Sequence, residues 1–291
     1  MFITVFTPTY NRAYILPCLY ESLCNQTCKD FEWLIIDDGS IDETESLVKS
    51  WIDENKIQIR YFYQENSGKS SAYNRAIEEA DSFLFSCVDS DDYLLPNAIE
   101  SINSVWRIQK DKGVIGLIVF RLYSDGTPIT RIRNNNLEYS TLRDAYKKHG
   151  MCGDAWLIHR TELIKRFHFP VVQGEKFIPE GYLFNKLDQL GVLYVYKTGL
   201  YAGEYLEDGY SKNAARNIFQ NYKGYVIHIN TRIREIDENL WEKLKDSIRY
   251  DSVMIAHQEN NIVKRAEIPF LSLIGFIPAY IFAIKRYKSY M

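Results

Sequence analysis

Four short apolar runs in the first third of the chain, each followed by a polar cluster and separated by helix-like stretches, constrain its fold most. Residues 3–6, 31–36, 57–63 and 82–88 carry strand patterns, and residues 13–23, a stretch opening near Asp42, and residues 70–80 carry helical ones. Glu43 and Glu45 fall in the first turn of the middle helix, where carboxylates favour the helix dipole. Strands separated by helices of this length predict a mostly parallel sheet with crossover helices. In such sheets ligands bind beyond the carboxyl ends of the strands. The clusters at residues 7–11, Asp37-Asp38, residues 66–69 and residues 89–92 fall at those ends.

Beyond this region the pattern loosens. Residues 97–200 mix helices with strands such as 114–123 and 155–159, and residues 213–258 read as two or more helices with charged faces. Residues 268–284 form a run of 17 without a charge, containing Pro269, Gly275 and Pro278, short for a spanning helix. There is no internal repeat and no low-complexity linker. With 291 residues, 46% hydrophobic and 25% charged, the chain buries a sizeable core as an ordinary globular protein does. A net charge of −3 provides no field for nucleic acid. Five cysteines without a Cys-x-x-Cys pair predict reduced, mostly buried thiols, which suits the cytoplasm. Cys24 and Cys28 share a possible helix face but supply only two ligands, with no nearby histidine to complete a zinc site. Met1 runs directly into a strand pattern, so no signal peptide is expected.

Asp89-Ser90-Asp91-Asp92 places three carboxylates at the end of an apolar strand. They repel one another unless a cation neutralises them. Hard oxygen ligands of this kind suit Mg²⁺ or Mn²⁺, which bind through one or two carboxylates plus substrate phosphates. The alternative is an N-cap and solvated turn before the helix near Pro96. Asp37-Asp38-Gly39-Ser40 offers a carboxylate to the N3–H of a uracil ring, or is an Asp-Gly turn with an N-cap. Asn66-Ser67-Gly68-Lys69-Ser70 fails as a phosphate loop, because Tyr63 stands where that motif needs its first glycine. No G-x-G-x-x-G follows the first strand. A nucleotide hydrolase and a dinucleotide-dependent oxidoreductase are therefore poorly supported.

Together these residues resemble the family 2 glycosyltransferases with the GT-A fold, of the bacterial capsule and surface-polysaccharide type. The matching pieces are Phe6-Thr7-Pro8-Thr9-Tyr10-Asn11-Arg12, Ile36-Asp37-Asp38-Gly39-Ser40, the segment from Asn66 to Ala76, and Val88-Asp89-Ser90-Asp91-Asp92. The resemblance implies an α/β fold: a Rossmann-like, mostly parallel central sheet flanked by helices, with a C-terminal helical extension. It implies a nucleotide-sugar-binding half at 1–96, an acceptor-binding half at 97–210 and a helical, membrane-associating region at 211–291. Thr7, Pro8 and Tyr10 would border the nucleoside, and Asp38 would bond the uracil of a UDP-sugar. Lys69 and Asn74 would face the nucleotide, or serve only as a helix start and a helix-interior contact. Asp89-Ser90-Asp91 corresponds to the family's Asp-x-Asp, with Asp91 the first metal ligand, Asp92 the second and Asp89 beside them.

Family members commonly carry Glu-Asp or Asp-Asp at a helix start in the second half, where the acid deprotonates the acceptor hydroxyl. Here Pro179-Glu180-Gly181 lacks the second acid, a pattern shared with a subset of capsule and surface-polysaccharide members. Glu180 is the candidate base, or an ordinary first-turn glutamate. Asp154 in Cys152-Gly153-Asp154-Ala155-Trp156 is the second candidate. The implied reaction is one in-line displacement with inversion, moving a hexosyl or N-acetylhexosaminyl group to a saccharide or polyprenyl-linked acceptor. The rival activities are a nucleotidyltransferase and a sugar-nucleotide-binding protein without catalysis. The apolar run ends in Lys285-Arg286-Tyr287-Lys288, and Lys264 and Arg265 precede it, with Glu267 the one opposing charge. It is expected to lie in the bilayer interface at the cytoplasmic face, or to fold as a buried helical hairpin.

Overall fold

Strand β1 (Ile3–Thr9) and its neighbours β2 (Phe31–Asp37), β3 (Ile59–Tyr63) and β4 (Leu84–Cys87) form the parallel half of one sheet in a computed structural model describing residues 1–205 and 213–291. Their connections are α1 (Leu16–Cys24), α2 (Thr44–Glu54) and α3 (Lys69–Glu79). β2 is buried along its whole length, which is why it reads as a continuous apolar run. Tyr20 of α1 stacks on Trp51 of α2 at 4.3 Å, and Trp51 stacks on Trp33 of β2 at 5.8 Å, so one aromatic layer fixes both helices on the sheet. α1 begins at Leu16, later than expected from residue 13, because Arg12 carbonyl first closes a turn on Ile15 and Pro17 suits the first helical turn.

The sheet continues with β5 (Asp92–Leu94), β6 (Gly116–Leu122), β7 (Tyr139–Ser140), β8 (Ala155–Arg160) and β9 (Leu193–Gly203) in the order β3-β2-β1-β4-β8-β6-β9-β5, with β7 on β9. Helices α4 (Ala98–Gln109), α5 (Leu142–Lys147) and α6 (Thr161–Ile164) join them. The expected parallel sheet holds from β3 to β4, and the second half is mixed. β8 runs antiparallel to both β4 and β6, and β5 and β7 run antiparallel to β9. All five cysteines are free, but none is buried as expected: Cys18 and Cys152 are exposed and the other three half-buried.

The chain divides into two compact units, Met1–His168 with Lys186–Glu204, and Phe169–Asn185 with Tyr205–Met291. The sheet belongs to the first. The second holds the start of α7 (Gly181–Leu187), then α8 (Ala214–Gln220), α9 (Tyr222–Glu235), α10 (Leu240–Ala256), α11 (Ile262–Arg265) and α12 (Pro269–Tyr287). Its core joins Ile229 of α9, Tyr250 and Val253 of α10, and Ala283 and Tyr287 of α12. The Glu175 carboxylate accepts from Lys223 N–H at 3.0 Å and Gly224 N–H at 2.7 Å, capping the first turn of α9. The run at 268–284 falls on one continuous helix of 19 residues, Pro269–Tyr287, that passes through Pro278 and is not a hairpin. By length and composition it is long and apolar enough to cross a membrane, and a third of it is buried.

Candidate donor and metal site

The register of the parallel strands brings the polar clusters to one edge of the first unit. Thr9 pairs with Asp37, Asp37 with Tyr63, and Val88 N–H donates to Phe6 carbonyl at 2.8 Å. Asp38 is buried, and its side chain organises the loop after β3. Its Oδ1 accepts from Gln64 Nε2 at 2.7 Å and Ser67 N–H at 2.9 Å, and its Oδ2 from Gly68 N–H at 2.7 Å. Gly39 adopts φ +90°, and a Cβ there would lie 2.8 Å from Asn66 N, so only glycine lets the two loops close together. Asn11, at φ 53°, ties the end of β1 to the same turn: its N–H donates to Ser40 Oγ at 2.8 Å and its Oδ1 accepts from Ile41 N–H at 2.9 Å.

The residues expected beside the nucleoside divide by exposure. Thr7 is fully buried and its hydroxyl accepts from Trp33 Nε1 at 2.9 Å, so its side chain is spent on the core. Pro8 is half-buried beside Ile36, while Tyr10 is 48% exposed at the strand end. Lys69 opens α3 and pairs with Asp89 at 2.7 Å; Asn74 lies half-buried one turn further along α3.

The three carboxylates after β4 take three different environments. Burial alone would raise Asp89, but the Lys69 ammonium and, beyond it, the Arg121 guanidinium hold its carboxyl below the ordinary range. Asp91 sits at the turn between β4 and β5, half-buried, and its carboxyl is raised by burial and by the Asp89 charge. Ser90 is buried between them. Asp92 is 2% exposed: its Oδ1 accepts from Arg121 Nη2 at 2.6 Å, its Oδ2 accepts from the Tyr201 hydroxyl, and burial still pushes its carboxyl up to about 7. The protein's own cations thus neutralise two of the three acids. Asp91 alone shows no side-chain partner among the described residues.

A divalent cation at Asp91 would relieve both influences that raise its carboxyl, and the donor is a hard oxygen, so the residue fits such an ion. Among the described residues no group of three or more histidine, cysteine or acidic side chains forms a protein cage. That is the condition under which Mg²⁺ or Mn²⁺ takes its remaining ligands from phosphates and water.

Arg121 and Tyr201 were not singled out from the sequence. Arg121 also faces Asp154 at 3.7 Å and lies over the Tyr201 ring at 5.1 Å, and Tyr201 stacks on Trp156 at 6.0 Å. Asp154 itself is 55% exposed. The readable signal was a lone arginine in the apolar strand 114–123, since an unpaired charge is almost never buried. Glu180 belongs to the second unit, where its carbonyl accepts from Leu183 N–H at 3.0 Å and Phe184 N–H at 3.2 Å and so starts α7. A Cβ on Gly181 would lie 3.2 Å from Cε1 of His228, so the ring of α9 occupies the space beside the position where a second acid is missing.

Residues 4–167 match the family model described as Glycosyl transferase family 2. The chain is 38% identical over 99 residues to the chondroitin synthase of Escherichia coli. It is 37% identical over 99 residues to the hyaluronan synthase of Pasteurella multocida. Each alignment takes 34% of this chain but only 14% and 10% of those much longer relatives. Among solved structures it resembles S. aureus TarS 1-349 in complex with UDP-GlcNAc, with a TM-score of 0.66, 19% identity, and coverage of 98% of this chain and 81% of that one. It also resembles the mannosyltransferase PcManGT from Pyrobaculum calidifontis in complex with GDP-Man and Mn²⁺, with a TM-score of 0.55, 17% identity, and coverage of 99% and 75%. At such identities the likeness is one of fold, the GT-A fold. With more than half of its length inside the family model, the chain belongs to glycosyl transferase family 2.

Proposed function

We propose that this chain is an inverting, metal-dependent glycosyltransferase that moves a sugar from a UDP-sugar to a saccharide or polyprenyl-linked acceptor in surface-polysaccharide synthesis, on the cytoplasmic side of the membrane. The observation that carries the reading is Asp91: the one acid of the Asp-x-Asp-Asp turn that forms no close ion pair among the described residues, its carboxyl raised by burial and by Asp89 despite Arg12 and Lys69, at the edge where four strand ends converge. UDP-GlcNAc in one structural neighbour and Mn²⁺ in another support donor and metal.

On this reading Asp91 holds Mn²⁺ or Mg²⁺, which when bound supplies positive charge to the departing diphosphate. Asp89 holds Lys69 at the start of α3, and Asp92 keeps the turn rigid. Asp38 has an acceptor position left on Oδ2 for the uracil N3–H, after its three bonds to the loop. Tyr10 offers an open ring to the nucleoside, and Pro8 and Thr7 shape the strand beneath it. The halves 1–96 and 97–210 serve donor and acceptor. Glu180 takes the acceptor proton, with Asp154 the second candidate, and a single displacement inverts the anomeric carbon. Calorimetry of UDP with the full chain tests the donor half: affinity that depends on Mn²⁺ and falls at least about tenfold in Asp91→Ala supports it. No UDP binding with or without Mn²⁺ removes it.

A further inference from the structure

α12 is built inside out. Its buried face carries Leu271 and Tyr287 at the two ends and Ser272, Gly275, Ala279 and Ala283 between them. This face lies on α10, where a Cβ on Gly275 would come within 2.8 Å of Ile248 and the Ser272 hydroxyl donates to Asp251 at 2.7 Å. The opposite face carries Phe270, Leu273, Ile274, Ile277, Ile281 and Ile284, all exposed, Ile277 by 74%. Their spacing of three and four residues makes one continuous stripe. A helix selected for a core in water turns its large apolar side chains inward. Here only Leu271 and Tyr287, at the two ends, turn inward; between them the inward residues are small and the large apolar ones face outward, so the outer face is matched to an apolar surrounding.

Charge indicates which surrounding. The spacing of the stripe carries on through Ile281 to Lys285 and Lys288, and Lys264 and Arg265 stand before the helix. The C-terminal end is therefore plainly basic, while at the other end Arg265 is paired with Glu259 at 2.7 Å and Glu267 with Arg234 at 3.5 Å, which leaves the charge of Lys264 there. A second copy of the chain laid on this stripe would set positive charge against positive charge in either orientation. An anionic lipid surface accepts the apolar centre and both ends at once. Pro278, exposed within α12, has no N–H for the Ile274 carbonyl, and a carbonyl so freed finds water more readily at a bilayer surface than in its hydrocarbon core. A spanning placement is also opposed by α10, whose Asp246 and Asp251 are fully buried beside α9 and α12 and would be carried to membrane depth.

We propose that α12 lies flat on an anionic bilayer surface, with the stripe at 270–284 sunk among the acyl chains just below the headgroups and Lys285 and Lys288 on lipid phosphates. This docking is independent of the transfer reaction, and its failure would leave the donor-site reading intact.

Co-sedimentation of the full chain with vesicles of phosphatidylglycerol and phosphatidylcholine, against phosphatidylcholine alone, tests it. The wild type is expected to bind the anionic vesicles at least about tenfold more tightly, with the preference reduced by salt. Ile277→Glu with Ile281→Glu, both on the exposed face, abolishes binding while the thermal unfolding midpoint holds. Lys285→Gln with Lys288→Gln removes only the anionic preference, and carries the test alone should the glutamate pair fail to fold. The proposal is overturned if the wild type ignores anionic vesicles, or if both variants bind as it does. It is equally overturned if sedimentation velocity shows a dimer that the glutamate pair dissociates without any vesicle binding.

Discussion

Arg121 of β6 and Asp92 of β5 form a buried ion pair, Nη2 to Oδ1 at 2.6 Å, laid across β9 between their strands. Gly203 of β9 makes the crossing possible, because a Cβ there would collide with the Asp92 carboxylate. Tyr201, two residues earlier on β9, donates to the other Asp92 oxygen, so the turn that carries Asp91 is anchored from below by two strands.

Removing the arginine leaves a buried carboxylate without its counter-charge. Arg121→Met is expected to cost about 3–5 kcal/mol of stability, read by urea unfolding. Asp92→Asn, which retains an oxygen for Tyr201, costs less. Equal, small losses in both variants would mean that the pair does not anchor the turn.

Asp38 is placed to hold the loop at 66–68 as well as a base. Asp38→Ala strands the N–H groups of Ser67 and Gly68, and is predicted to destabilise the fold by about 1–3 kcal/mol and to raise KM for the donor more than it lowers kcat. Unchanged stability with a raised KM would assign it to the base alone.

His159 is buried on β8, and burial pushes its imidazole down to about 4 from an ordinary 6.5. The unfolded chain takes a proton there below about pH 6.5 and the folded chain does not until about pH 4, so stability drains as pH falls through that window. Buried Asp92 and Asp251 are raised instead and act in the opposite sense, so the wild-type curve alone mixes the two. The difference between wild type and His159→Gln isolates the histidine: between pH 7 and pH 4 the wild type should lose about 3 kcal/mol relative to the variant. A difference flat with pH would place the imidazole near its ordinary value.

Glu180→Gln should lower kcat by about 10²–10⁴-fold with donor affinity unchanged, measured by steady-state turnover and calorimetry. Asp154→Asn should change turnover by only a few-fold. The reverse ranking would move the base to Asp154.

Much of the first half was legible because β1, β2 and β4 are buried along nearly their whole length and the polar clusters sit at the strand ends. The Asp-x-Asp turn and the Asp38 turn are local patterns, readable within a few residues. The direction of β8 was not legible, since an apolar run of that length reads the same parallel or antiparallel. Nor was the anchor of Asp92, whose partners lie 29 and 109 residues away and meet only through sheet register. Thr7 shows the limit of a motif. It belongs to the stretch that resembles a nucleoside-binding segment, yet its hydroxyl is turned to Trp33 in the core. In α12 the spacing of Ser272, Gly275, Ala279 and Ala283 was present in the sequence as a close-packing signal, and the prolines obscured it.

The most direct test of the account is the release of nucleoside diphosphate from a panel of UDP-, GDP- and dTDP-sugars, comparing wild type with Asp91→Ala. The account predicts metal-dependent release of UDP from one donor, abolished by EDTA and by the substitution. Release that persists without metal, or that Asp91→Ala leaves intact, would contradict it.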